Sequence, residues 1–77
     1  MNTQEIINEL TKYDRLAIRE ALKGVYCSVY VNYMFHNKRK RTGLFRKVVK
    51  AYWNSKQELT EKVNGFIYEL YNKEELA

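Results

Sequence analysis

Lys38, Arg39, Lys40 and Arg41 follow one another without interruption, and they are the residues of this chain best equipped to hold a ligand. Four adjacent cations repel one another unless an anion neutralises them. Phosphates do so, and the counterions they release add a favourable entropy. Arg46, Lys47 and Lys50 follow closely. Arg46 and Lys50 are four positions apart, so a helix turns them to one side, at a cost of about 0.2–0.5 kcal/mol for like charges. A polyanion would remove that cost. Trp53 lies one turn further on, at the edge between the apolar and basic sides of the same segment. There an indole can stack on a base or anchor a protein contact.

The other reactive residue types do not form a catalytic or metal-binding set. His36 is the single histidine and has no Cys or carboxylate at ligand spacing, whereas a zinc site takes four ligands. A phosphate contact is the most that its position beside the basic run implies. Cys27 is the single cysteine, so no internal disulfide is possible, which suits a reducing compartment. A reactive thiol needs an orienting base, and Cys27 is read instead as a small buried residue. Asp14 is the only Asp, and the Glu residues fall at ordinary helix-surface positions. With three Gly there is no glycine-rich phosphate loop. The expectation is a binding protein with no catalytic residue, no metal and no cofactor.

The distribution of charge sharpens this. The net charge is +5, from 14 basic and 9 acidic residues, yet no acid occurs between Glu20 and Glu58. That stretch contains Lys23, Lys38, Arg39, Lys40, Arg41, Arg46, Lys47, Lys50 and Lys56, and the flanks are acidic on balance. Such asymmetry bears on partners and not on fold. The flanks contain acids that could have been placed in the middle, and the middle has none.

The elements that must position these residues read as helices. The chain has 77 residues, no Pro and 45% hydrophobic residues, the composition of one small globular domain over 1–77. Thr3 is placed to cap a first helix that buries Ile6, Ile7 and Leu10. Thr11 and Asp14 form a capping box for a second. The periodicity then favours one long helix from 12 to about 36, with Gly24 tolerated inside it at about 1 kcal/mol. Its apolar side would be Ile18, Leu22, Val25, Tyr26, Val29, Tyr30 and Tyr33, the tyrosines forming core and core rim. Residues 37–43 read as a loop. A helix over 44–53 follows, burying Leu44, Phe45, Val48, Val49 and Tyr52 and ending at Asn54-Ser55. Ser55 and Glu58 spell a capping box for a last helix, 56–72, with Leu59, Val63, Phe66, Ile67 and Leu70 at helical spacing. Asn64-Gly65 inside that run makes a hairpin of 59–63 with 66–71 the competing reading.

The fold expected is therefore all-α, a small bundle of three or four helices. The alternative is an α+β fold with a strand at 25–35, where β-branched and aromatic residues dominate. The order strand, helix 44–53, helix 56–72 then resembles that of dimeric ribbon-helix-helix DNA binders, in which paired strands enter the major groove. The helical N-terminus and the long basic loop depart from that pattern. A homodimer is expected, because a chain this short has a thin core and 25–36 holds more apolar surface than one helix face requires.

No apolar run reaches the length of a membrane span, and Met1 to Glu5 lack the basic start and apolar core of a signal peptide. The expected location is cytoplasmic. The many Lys, Asn, Ile and Tyr residues accord with an AT-rich bacterial, phage or plasmid gene. The function expected is nucleic-acid binding, with DNA the favoured form, by a regulator or accessory factor through Lys38, Arg39, Lys40, Arg41, Arg46, Lys47, Lys50 and Trp53. The alternative is a protein-binding inhibitor or adaptor that captures an acidic partner surface with the same cations.

Overall fold

The computed structural model describes residues 1–76, with side chains described through Asn72. Four α-helices follow in order: α1, Thr3–Glu9; α2, Lys12–Leu22; α3, Ser28–His36; and α4, Gly43–Leu76, with a 3-10 turn over Lys38–Lys40 between the last two. No strand occurs among the described residues, so the chain is all-α and the ribbon alternative with a strand at 25–35 is excluded. Among the described residues no helix is long and apolar enough to cross a membrane.

The first two helices begin as reciprocal caps. Asn2, not Thr3, caps α1. Its side chain accepts from the Glu5 N–H at 2.9 Å, and the Glu5 carboxylate accepts from the Asn2 N–H at 3.2 Å. Thr3 is instead the first helical residue and is buried. At α2 the Thr11 hydroxyl accepts from the Asp14 N–H, and Asp14 accepts from the Thr11 N–H, as its sequence requires.

The expected helix from 12 to 36 is broken. The N–H groups of Val25 and Tyr26 both donate to the Leu22 carbonyl at 2.9 Å, which tightens the end of α2. Cys27 then takes an extended conformation as the N-cap of α3. Gly24 and β-branched Val25 hold a helix weakly, and the break resets its phase. α3 buries Val31, Met34 and Phe35, leaving Val25, Val29, Tyr30 and Tyr33 exposed. A straight helix would have turned Val31 away from the core. The Arg19 guanidinium, which donates to Asn32 at 3.0 Å, ties α3 back to α2.

The opposite correction applies downstream. The two helices expected at 44–53 and 56–72 are one, α4. Asn54 and Ser55 cost a helix interior only about half a kcal/mol each, Gly65 costs about 1, and without Pro nothing forces an end. Residues 59–71 are helical throughout, so the hairpin is excluded too.

The core collects Ile6, Ile7 and Leu10 from α1, Ile18 and Leu22 from α2, Val31, Met34 and Phe35 from α3, and Phe45 and Val49 from α4. Phe35 and Phe45 meet edge to face, with centroids 5.3 Å apart. Val48, Tyr52 and Trp53 close its margin, whereas Leu44, expected inside, is exposed. Only the first third of α4 takes part. A 34-residue helix is about 51 Å long, so the remainder projects and sets the 55 × 24 × 18 Å extents. The radius of gyration is 16.5 Å, against about 11.5 Å for a compact chain of this length.

Candidate nucleic-acid interface

The basic run sits on the 3-10 turn and the segment leading into α4. The Asn37 side chain shapes the turn by accepting from the Arg39 N–H at 3.1 Å. Thr42 starts α4, its hydroxyl accepting from the Phe45 N–H at 3.2 Å and bonding the Tyr26 hydroxyl at 2.8 Å. These caps fix the run relative to the first two turns of α4, and so fix Lys38 and Arg41 relative to Arg46 and Lys50.

Those four cations line one open cleft together with Asn2, Thr3 and Gln4. No carboxylate lines it. Lys50 also borders the neighbouring depression, which contains Trp53, Asn54 and Gln57. The cations and the indole thus form one surface along α4. Trp53 is half-buried, at the core margin as its spacing indicated.

The eight expected residues are not equivalent. Arg41 is partly buried and turned inward. Its Nε–H donates to the Met34 carbonyl at 2.7 Å and an Nη2–H to the Phe35 carbonyl at 3.0 Å. It satisfies carbonyls that the end of α3 leaves without partners, and burial pulls its pKa down. Three of its five N–H groups remain available to the cleft. Lys38, Arg39, Lys40, Arg46, Lys47 and Lys50 are exposed. Lys40 lies apart from the cleft, beside Tyr30 and Tyr33. Arg39 and Lys47 do not line the cleft.

Lys56, the last cation of the acid-free stretch, is not free. Its ammonium donates to Asp14 Oδ2 at 2.7 Å, and the Tyr52 hydroxyl donates to Asp14 Oδ1 at 2.5 Å. Burial alone would raise the Asp14 pKa. Lys56, Tyr52 and Thr11 together outweigh it and hold the carboxyl well below the usual carboxylate range. The same hydrogen bond, with burial and the Asp14 charge, pushes the Tyr52 phenol up to about 12. The cap motif of Asp14 was legible, but its second role was not, because Lys56 lies 42 positions away. The Asp14–Lys56 contact is the only ion pair among the described residues. The cleft cations therefore have no carboxylate partner within 4 Å there.

Arg15 and Arg19 are also partly occupied, each stacked over the Phe35 ring at 5.5 and 5.8 Å. Cys27 is exposed and not buried as expected. His36 is exposed at the end of α3, in a groove with Val29, Asn32 and Tyr33. Among the described residues no three His, Cys, Asp or Glu side chains come together as a metal site would need. No family model, curated protein or solved structure matches the chain.

Proposed function

We propose that this chain is a cytoplasmic binding protein for nucleic acid, with DNA the favoured form, and that it acts as a regulator or accessory factor without chemistry of its own. One observation carries the reading: Lys38, Arg41, Arg46 and Lys50 converge on a cleft with no carboxylate in its lining. Unquenched cations brought together by folding repel one another. A phosphate backbone neutralises them and releases its counterions. Arg39 and Lys47 extend the footprint as flanking cations, and Trp53, joined to the cleft through Lys50, offers a stacking face. A homodimer doubles the footprint. The contacts fall on phosphates, so affinity exceeds sequence discrimination.

A titration of duplex DNA at several salt concentrations tests this. Four to six neutralised phosphates for each bound copy contribute about −3.5 to −5.5 per copy to the slope of log K against log salt. Failure to bind DNA at low salt, with capture of an acidic protein instead, would replace this reading with the adaptor one.

A further inference from the structure

The projecting half of α4 carries an apolar stripe that nothing in the fold covers. Leu59 is 63% exposed, Val63 46%, Phe66 61%, Ile67 56% and Leu70 46%. At 100° per residue these five fall within a 100° arc. The stripe continues the one that buries Phe45, Val49 and Tyr52 in the body, with Lys56 at the junction, where it leaves for Asp14. Phe45, Val49, Tyr52, Lys56, Leu59, Val63, Phe66 and Leu70 follow alternating steps of four and three, the seam of a two-helix coil. A patch of this extent and continuity marks an interaction surface.

We propose that this face is covered by the same face of a second copy of the chain, running antiparallel. The charges beside the stripe select both the occupant and its direction. Lys62 and Glu69 lie on one flank, seven residues apart and within about 20° of each other on the wheel. An antiparallel pairing that layers Val63 on Phe66 and Leu59 on Leu70 of the second copy brings Lys62 opposite Glu69. The two-fold axis repeats the pair. A parallel pairing puts Lys62 opposite Ile67 and leaves Glu69 with no cation. It would also set the two net-basic bodies side by side, whereas the antiparallel one holds them at opposite ends. Another exposed apolar face, Val29, Tyr30 and Tyr33 on α3, adjoins Lys40 and His36. A second copy of it offers those residues no anion.

This specifies the contact of the homodimer named above and does not depend on nucleic-acid binding, so its test contains no nucleic acid. Sedimentation equilibrium of the whole chain at tens of micromolar should give a dimer. Leu59→Gln and Phe66→Gln should each weaken it by roughly a hundredfold, as loss of a central apolar contact does. Their helical circular dichroism should persist, since both residues are exposed. Lys62→Glu and Glu69→Lys should each weaken the homodimer by roughly fivefold to tenfold at low salt. An equimolar mixture of these two variants should recover the parent's affinity, since each then meets an opposite charge at both positions. A parent that stays monomeric overturns the proposal. So does a dimer indifferent to Leu59→Gln and Phe66→Gln. A mixture that fails to recover overturns the antiparallel arrangement.

Discussion

Lys56 reaches across 42 positions of sequence to place its ammonium 2.7 Å from Asp14 Oδ2, where α2 begins and the packed part of α4 ends. The Thr11 N–H of the capping box, the ion pair and the Tyr52 hydroxyl all meet at this one buried carboxylate. Asp14→Ala keeps the bond from its backbone N–H to the Thr11 hydroxyl but leaves three donors, the Thr11 N–H, the Tyr52 hydroxyl and the Lys56 ammonium, without their acceptor. It should destabilise the body by about 2–4 kcal/mol, read from urea unfolding.

The same carboxylate sets the acid limit of the fold. Its pKa is depressed in the native state, so its contribution is fully present above the ordinary carboxyl value of 3.8. It is lost as pH falls below that value. Unfolding free energy should decline with falling pH below about 4, and Asp14→Asn should flatten that decline. For Tyr52 the native pKa is raised, so its contribution is present below the ordinary value of 10 and lost as pH rises toward about 12. Tyr52→Phe should flatten the alkaline limb and leave the acid one sloping.

Arg41 divides the basic run into structural and free members. Its two hydrogen bonds to the end of α3 should make Arg41→Gln cost about 1–3 kcal/mol. Arg39→Gln and Lys40→Gln should cost less than about 0.5. Thermal melts of the three variants distinguish this from a wholly solvated run, in which all three would behave alike.

The elements with local determinants were legible in the sequence. The cap at Thr11 and Asp14, the buried face of α1, that of early α4 apart from Leu44, and the all-α class follow from spacing alone. Two boundaries were not. The end of α2 depends on burial of Val31, Met34 and Phe35, a gain visible only once α3 has a core to meet. At Ser55 the capping box competes with continuation of α4, and without Pro or a required turn the helix continues. The cations of the site were visible by type and position. Their sorting into cleft, flanking and structural roles was not, since it rests on the α3 carbonyls that meet Arg41 and on the start of α1 that shares the cleft lining.

Gly65 lies inside α4 with negative φ and open space where a Cβ would stand. Gly65→Ala should therefore favour the projecting helix by about 0.5–1 kcal/mol. The far-ultraviolet circular dichroism should gain helical amplitude. A loss would mean that α4 ends near Asn64 in solution.

The binding reading is tested most directly by the salt dependence of duplex affinity for the parent chain beside Arg46→Gln and Lys50→Gln. Both residues line the cleft, are exposed and have no described acidic partner. Each substitution should weaken binding to all sequences and flatten the slope of log K against log salt by about 0.9 for each bound copy, leaving stability unchanged. Equal binding and equal slopes for the three proteins, or no binding by the parent at low salt, would contradict a phosphate-binding cleft.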